Sequence, residues 1–154
     1  MLTLAQNYIE VCIFKFESDS ASYLLLQRSK GEEVYPDLWQ FVTGAIEQNE
    51  TAIEAAIREV REEASLECAA LWVVPYVNIF YEHRKERISL SPLFAMQVRP
   101  GIRPVLSDEH MHFDWLSYED ALRRLVWPGQ REGLRIVQEF IVAGGEAAKY
   151  SRIR

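Results

Sequence analysis

The sequence predicts a mixed α/β fold, an α/β/α arrangement in which a mixed β-sheet lies between helices on both faces. Segments rich in β-branched and aromatic residues are interspersed with segments of helical periodicity, without the strict alternation of a parallel sheet. The first two strand-like segments are joined by a short turn, which makes them antiparallel. Hydrophobic residues occupy 49% of the 154 positions, enough for one core. We therefore expect a single domain over residues 1–154.

The N-terminal part of the chain is predicted to contain a β-hairpin. Residues 8–16 (YIEVCIFKF) and 23–27 (YLLLQ) have the composition of strands, and the ESDSAS segment at 17–22 has that of a turn. A polar loop follows at residues 29–37 and a short strand at 38–42.

Residues 51–64 are predicted to form an amphipathic helix. Thr51 and Glu54 have the spacing of a capping box, in which each side chain accepts a hydrogen bond from the other residue's backbone N–H. Apolar residues then recur three and four positions apart and form one stripe toward a core: Ile53, Ala56, Ile57, Val60 and Ala64.

The second half of the chain adds strands and two further helices. Residues 69–81 and 88–98 are predicted to be strands, antiparallel across the charged EHRKER connection. The remaining predicted elements are a short strand at 113–116, a helix at 117–126 and a terminal helix at 133–143. At the start of the helix at 117–126, Ser117 and Asp120 have the spacing of an N-cap residue and its capping-box partner. The tail from about residue 144 (GGEAAKYSRIR) is expected to be frayed.

The charge balance limits the partners of the protein. The chain has 17 basic and 23 acidic residues, a formal net charge of −6, and no basic arm. Nonspecific binding of a nucleic acid polymer depends on Lys and Arg that neutralise phosphates, so this class of partner is not expected. A substrate with phosphate groups would therefore need a divalent cation to neutralise it.

Hydropathy and cysteine usage indicate a cytoplasmic protein. No apolar run approaches the roughly 20 residues that span a bilayer, so a membrane is not an expected partner, and the first residues lack the pattern of a signal peptide. Cys12 and Cys68 stand singly in apolar segments, so we expect buried, reduced thiols. A homodimer is compatible with the sequence.

Three glutamates share one side of the helix predicted at 51–64. At about 100° per residue, Glu59, Glu62 and Glu63 fall within an arc of about 100° away from the apolar stripe, and no basic residue lies in that arc. Arg58 lies on a separate face, four residues after Glu54. Like charges at this spacing repel unless a cation is bound, and hard cations such as Mg²⁺ prefer oxygen ligands. A solvated acidic face is the alternative interpretation.

The residues before and within this helix carry a longer pattern. Gly44 is followed by five residues and Glu50, then by seven residues and the segment REVREE at 58–63. This pattern resembles the signature of the Nudix hydrolases over residues 44–66. Ser65 stands where that family has a glycine. We expect Ser65 to adopt the left-handed conformation that ends the helix, at a cost of about 1 kcal/mol.

The resemblance implies the Nudix α/β/α sandwich and a metal-dependent catalytic site. It implies that Glu59, Glu62 and Glu63 are catalytic residues and the principal ligands of Mg²⁺, for which Mn²⁺ could substitute. The Gly44 carbonyl would be a further ligand.

Further roles follow from the same resemblance. Glu50 and Arg58 would form a supporting ion pair that ties the motif loop to the helix. Members of the family differ in the carboxylate that accepts the proton, and the candidates here are Glu62, Glu63 and Glu109. The alternative for Glu109 is a solvated loop residue.

Four residues outside the helix are candidates for substrate binding. The resemblance implies that Arg28, at the end of the second predicted strand, is placed to reach a phosphate. Trp39 and Gln40 are candidates for a base pocket, and strand pleating directs them to opposite faces. Tyr81 is a candidate for stacking. The alternatives are a surface charge for Arg28 and core positions for the aromatic residues.

The reaction that the resemblance implies is hydrolysis of a pyrophosphate bond in a small nucleotide-type polyphosphate. The DLWQFVTG segment at 37–44 resembles family members that act on nucleoside or pterin triphosphates, which favours a (deoxy)nucleoside triphosphate or dihydroneopterin triphosphate with release of pyrophosphate. Dinucleoside polyphosphates and ADP-ribose are alternatives. A non-catalytic nucleotide sensor is the alternative of another class, although all three carboxylates are retained.

Overall fold

All the predicted strands occur, in one mixed sheet of eight strands. The computed structural model describes residues 1–154. The strands are β1 (Thr3–Gln6), β2 (Tyr8–Glu17), β3 (Ser20–Arg28), β4 (Trp39–Gln40), β5 (Val42–Ala45), β6 (Ala70–Glu82), β7 (Arg87–Gln97) and β8 (His110–Leu116). The helices are α1 (Ala52–Ala64), α2 (Tyr118–Arg124), α3 (Pro128–Ile136) and α4 (Glu146–Ser151), with a π-helical segment (Val137–Val142) directly after α3.

Strand β2 lies at the centre of the sheet. It pairs in parallel with β7 and antiparallel with β3 and β5. On one side, β7 also pairs in parallel with β1 and antiparallel with β6. On the other side, β3 also pairs antiparallel with β4 and β8. The mixed sheet predicted from the sequence is thus confirmed.

The β2–β3 hairpin opens away from its turn. The two strands pair with each other only near the turn; further along, β2 pairs with β5 and β3 pairs with β4. Residues 39–45 therefore run between two diverging strands. For this reason the single strand expected at 38–42 is two short strands, interrupted at Phe41.

Hydrophobic clusters cover both faces of the sheet. Ile9, Val11 and Ile13 of β2 belong to a cluster with α1, whereas Cys12 and Phe14 belong to a cluster with α2, α3 and the π-helical segment. Because successive strand residues point to opposite faces, one strand supplies both cores. The sandwich with helices on both faces is confirmed.

Helix α1 begins and ends as its sequence predicts. The Thr51 hydroxyl accepts a hydrogen bond from the Glu54 N–H (3.2 Å), and the Glu54 carboxylate accepts one from the Thr51 N–H (2.8 Å). At the other end Ser65 has φ 55° and ψ 36°, the left-handed conformation. Its N–H donates to the Arg61 carbonyl (3.0 Å). Both predicted ends of the motif helix are therefore confirmed.

The C-terminal helices differ in detail from the expectation. Ser117 caps α2 by accepting from the Asp120 N–H, but no return bond completes a box. Helix α3 begins at Pro128, earlier than the predicted 133, because proline is well accommodated in the first turn of a helix. The rest of the predicted helix at 133–143 is mostly π-helical.

The tail is packed rather than frayed. Gly144 and Gly145, both with positive φ, turn the chain back, and α4 follows. The Trp72 indole N–H donates to the Ala148 carbonyl (3.0 Å), and Arg152 pairs antiparallel with Trp72. The expectation of a frayed tail was wrong because these contacts join the tail to β6, which is far away in sequence.

Two smaller expectations concern the cysteines and the membrane. Cys12 is buried and Cys68 half-buried, both as free thiols, and burial raises the pKa of each. None of the helices has the length and apolar character needed to cross a membrane.

Candidate active site

Gly44 allows the motif strand and the motif helix to approach closely. A Cβ atom at this position would lie 2.1 Å from the Glu59 carboxyl carbon, so only glycine leaves room for that side chain. Because Gly44 is in β5 and Glu59 is in the middle of α1, their contact places a carboxylate directly against the backbone of the strand.

Arg58 links the motif loop to the carboxylates. Its guanidinium donates to both carboxylate oxygens of Glu50 (2.7 and 2.9 Å) and to the Ala45 carbonyl (2.9 Å). It also donates to Glu59 (2.7 Å) and Glu62 (3.2 Å). The hydrogen bonds from Arg58 hold the pKa of Glu50 at about 2. The structure thus contains the Glu50–Arg58 ion pair.

Arg58 neutralises part of the acidic arc from outside it. Its backbone lies on a separate face of the helix, but its long side chain extends to Glu59 and Glu62. Arg58 does not pair with Glu54, four residues before it on the helix, because the Glu54 carboxylate is engaged in the helix cap.

Glu63 is buried, not on an exposed acidic face. The loop that precedes β8 packs against this end of the helix, because its Val105 and Ser107 N–H groups donate to the Ala64 and Glu63 carbonyls (2.9 and 3.3 Å). Glu63 is 4% exposed, and one of its carboxylate oxygens has no hydrogen-bond partner. By contrast, the Glu62 side chain is 59% exposed.

The surroundings of Glu63 disfavour its charged form. Burial raises its pKa to about 10, and the charges of Glu59 and Glu109 act in the same direction. The charge of Arg28 acts in the opposite direction. A buried carboxylate oxygen without a partner requires a proton or a cation.

The chemistry of this donor set fits a hard divalent cation. Glu59, Glu62 and Glu63 supply oxygen atoms, and the unpartnered oxygen of Glu63 is the one most in need of a positive charge. The three side chains do not form one ligand group in this structure, and Glu59 and Glu62 are bonded to Arg58.

Glu109 and Arg28 lie at the Glu63 end of the site. The Ser29 N–H donates to the Glu109 carbonyl (2.9 Å), and the Ser29 hydroxyl donates to the Asp108 carbonyl (2.8 Å). These bonds join the end of β3 to the loop before β8. They bring Arg28 and Glu109 close enough to Glu63 for both charges to act on its pKa.

Arg28 has local partners as well. Its guanidinium donates to the Val34 carbonyl (2.9 Å) and to Glu32 (3.2 Å), both in the loop that follows β3. The side chain is therefore held at the strand end, and Glu32 already neutralises part of its charge.

Trp39 and Gln40 point to opposite faces of the sheet. Trp39 packs against the α2–α3 cluster, and the Arg124 guanidinium lies 4.6 Å from its ring centre. Gln40 is buried, with its amide nitrogen 3.4 Å from the His110 ring. Burial, with the nearby charge of Arg28, lowers the pKa of His110 to about 4.

Tyr81 lies near the turn of the β6–β7 hairpin. Its hydroxyl donates to Glu86 in that turn (2.6 Å), and the residue is 53% exposed. No hydrogen bond connects Tyr81 to the carboxylates, so the structure does not bring it together with the other candidates.

Sequence reasoning missed a polar group on the opposite face of the sheet. Glu10 is 6% exposed and accepts from the Gln130 amide (3.2 Å) and, more weakly, from the Asn78 amide (3.4 and 3.5 Å). A cleft of about 600 Å³ between β6 and α3 lies beside this group. The available signal was an acidic residue within the apolar strand YIEVCIFKF.

Comparison with known proteins agrees with this fold. The model of the NUDIX domain family matches residues 7–136. The dihydroneopterin triphosphate diphosphatase of Escherichia coli K12 is 39% identical over 121 residues, covering 71% of this chain and 77% of the relative. An octanoyltransferase of Myxococcus xanthus is 30% identical over 134 residues, 82% of this chain but only 35% of that protein.

A solved structure shows the same fold. A C. elegans Ap4A hydrolase superimposes with a TM-score of 0.74 at 22% identity, covering 89% of this chain and 98% of that one. Hydrolases with this domain generally use a divalent metal. From the family match over most of its length and the retained carboxylates, we conclude that the chain belongs to the Nudix family and is a Nudix pyrophosphohydrolase.

Proposed function

We propose that the protein hydrolyses a nucleoside triphosphate or dihydroneopterin triphosphate and releases pyrophosphate. The observation that carries this proposal is the carboxylate group on α1: Glu59 packs on Gly44, and Glu63 is buried beside it with an unpartnered oxygen. The 39% sequence identity with a dihydroneopterin triphosphate diphosphatase supports this substrate class.

We propose Mg²⁺ as the metal, with Mn²⁺ able to replace it. Glu59, Glu62, Glu63 and the Gly44 carbonyl would hold it. When bound, the metal supplies positive charge to the phosphoryl oxygens and lowers the pKa of a bound water. The Glu50–Arg58 pair contributes by fixing the motif loop against α1, which positions Glu59.

The remaining residues bind the substrate and accept a proton. Arg28 is placed to contact a phosphate, since its charge already reaches Glu63. Glu62, Glu63 and Glu109 are the carboxylates able to accept the proton of the attacking water. Glu62 and Glu109 are exposed to solvent, whereas Glu63 is buried.

Trp39, Gln40 and Tyr81 are the further residues proposed to contact the substrate. Trp39 is stacked with Arg124, and Gln40 is engaged with His110. We propose that Trp39 and Gln40 line the substrate site. Tyr81 would contact only a substrate that extends along β6.

A substrate panel tests the proposal. Nucleoside triphosphates, dihydroneopterin triphosphate, dinucleoside polyphosphates and ADP-ribose are incubated with and without Mg²⁺, and phosphate and pyrophosphate are measured separately. We expect metal-dependent release of pyrophosphate from a triphosphate. Glu62→Gln should abolish most of it with the fold intact, because Glu62 is exposed and makes no core contact. Glu139→Gln, at an exposed position in the π-helical segment, is the matched control.

Other results would redirect the assignment. Turnover confined to dinucleoside polyphosphates or ADP-ribose would change the proposed substrate but not the proposed reaction. Nucleotide binding without turnover of any substrate would indicate the sensor module. Full activity of Glu62→Gln would contradict the role given to the carboxylates.

A further inference from the structure

Strand β6 leaves most of one edge without a partner. Its other edge pairs with β7 on both sides of a bulge. On the open edge, Leu71 and Trp72 pair with the last residues of the chain, and no strand lies beside the segment from Val73 to Glu82. Edge strands of monomeric proteins are usually short, charged or covered, because their free N–H and C=O groups can pair with a further strand.

This open segment has little of that protection. Residues 73–81 (VVPYVNIFY) contain no charged side chain, in a chain that is 26% charged. The proline of the segment, Pro75, lies in the bulge, and the regular ladder with β7 resumes after it at Val77. Alternate side chains of the regular part are exposed, Val77 by 44%, Ile79 by 63% and Tyr81 by 53%. The edge therefore combines free backbone groups with an apolar surface.

The same edge already binds an extended segment of the chain itself. The Leu71 N–H donates to the Arg154 carbonyl (3.1 Å), and the Leu71 carbonyl accepts from the Ile153 N–H (2.8 Å). Arg152 pairs antiparallel with Trp72, so the tail runs toward the start of β6 and away from the open segment. The backbone of this edge is thus accessible to an antiparallel strand, and residues 73–82 still lack one.

A cleft of about 600 Å³ lies along the open edge on the side of α3. Asn78 and Ile79 of β6 line it, together with Val126, Pro128 and Gly129 at the start of α3. A strand added to β6 would direct every second side chain toward this helix. The cleft therefore offers space for a side chain of that strand.

We propose that the open edge of β6 pairs with the same edge of a second copy of this chain, antiparallel about a two-fold axis at Ile79. In this register Val77 lies opposite the partner's Tyr81, so the exposed apolar side chains of one face pack together. The pairing uses the regular part of the strand and leaves the bulge outside. On the other face, the partner's Phe80 lies opposite Asn78 and enters the cleft beside α3.

The charges favour this occupant and this direction. Arg84 and Lys85 lie in the turn between β6 and β7. Antiparallel pairing keeps the two turns at opposite ends of the shared segment, whereas parallel pairing would bring their positive charges together. An edge without charges matches an identical edge and offers nothing to a charged partner. A two-fold contact also uses both open edges at once, so the assembly closes at the dimer.

The oligomeric state tests the proposal without reference to hydrolysis, since the proposed metal ligands lie outside β6. We expect a dimer by sedimentation equilibrium at micromolar concentrations. Ile79→Lys should raise the dissociation constant of the dimer by about a hundredfold or more, because the axis places the two lysines directly opposite each other. Leu4→Lys is the matched control. Leu4 is 70% exposed in β1, and β7 separates it from β6, so the dissociation constant should not change.

A cross-link tests the register. Paired residues of an antiparallel ladder have Cα atoms roughly 5 Å apart, a distance that a disulfide spans. Ile79→Cys should therefore give a disulfide-linked dimer under mild oxidation, whereas Leu4→Cys should not. The native chain, with Cys12 buried and Cys68 half-buried, gives the background.

Three results would overturn the proposal. The first is a native chain that is monomeric at every concentration, which would leave the edge to an extended segment of another protein. The second is a dimer that Leu4→Lys weakens and Ile79→Lys does not. The third is a failure of Ile79→Cys to cross-link above the background. If circular dichroism shows that Ile79→Lys does not fold, the cross-link decides.

Discussion

Glu63 shows how a single buried carboxylate links function to stability. Burial raises its pKa to about 10, against an ordinary value of 4.5. Between these values the folded chain holds a proton that the unfolded chain has released. The proton bound to Glu63 therefore stabilises the folded state relative to the unfolded state. This stabilisation is fully present below pH 4.5 and is lost as the pH rises toward 10.

Replacement of Glu63 by glutamine should therefore stabilise the metal-free protein in a pH-dependent way. Glutamine keeps the shape and carries no charge, so it avoids the cost of protonating or burying the carboxylate. We expect Glu63→Gln to raise Tm at pH 8 in the presence of a chelator, with a difference that becomes small at pH 5. Thermal unfolding at both pH values measures this, with Glu139→Gln as the control.

A Tm difference that is the same at both pH values would contradict this account of Glu63. The same substitution should abolish turnover, since it removes a proposed metal ligand. Glu63 would then increase activity and decrease the stability of the metal-free protein.

The candidate site residues could be predicted from the sequence where they belong to one motif of fixed spacing. The Gly44 to Glu63 pattern predicted the Glu50–Arg58 pair that the structure contains, and it supplied the carboxylates that are proposed as metal ligands. The burial of Glu63 was not predictable, because the covering loop before β8 comes from about forty residues further along the chain. Glu10 was missed for a similar reason: its partners come from β6 and α3.

At the scale of the element, α1 was predictable from end to end. Its cap, its apolar stripe and its C-terminal position are all properties of consecutive residues. By contrast, the interruption at Phe41 depends on the divergence of β2 and β3, which is a property of the sheet. Likewise, the π-helical continuation of α3 has no signal in its local sequence.

The end of α1 offers a test of backbone conformation. Ser65 is exposed and has a positive φ of 55°, a conformation that costs about 1 kcal/mol for a residue with a side chain. Ser65→Gly should therefore leave the free energy of unfolding unchanged or raise it by up to about 1 kcal/mol. Urea unfolding measures the change.

Ser22→Gly in β3 is the matched control for this prediction. The same substitution in a strand should lower stability, because glycine loses more conformational freedom there. Strong destabilisation by Ser65→Gly would show that α1 does not end as described.

At the scale of the whole molecule, the fold class and the sheet type followed from the mixture of periodicities along the chain. The packing of the tail did not. Leu71 and Trp72 of β6 bind the last residues through three backbone bonds and the indole N–H, all of which join distant parts of the chain.

Removal of the tail should destabilise the entire domain. Truncation after Gly144 leaves the Trp72 indole without its acceptor and exposes a side chain that is now 8% exposed. We expect a lower Tm and a shift of tryptophan fluorescence to longer wavelength. Lys149→Ala is the control, because that side chain is 74% exposed and pairs only with Glu146. Unchanged Tm and fluorescence after truncation would mean that the tail contributes nothing to the core.

The central position of β2 also has a consequence for the speed of folding. Its hairpin with β3 closes through a two-residue turn, and β6 and β7 close a second short loop. The parallel β2–β7 ladder instead joins the two halves of the chain, so the entropy of closing a long loop opposes it until both hairpins exist. Chains dominated by such distant pairings fold in milliseconds to seconds rather than microseconds. The nascent protein therefore completes its sheet only after most of the chain has been synthesised.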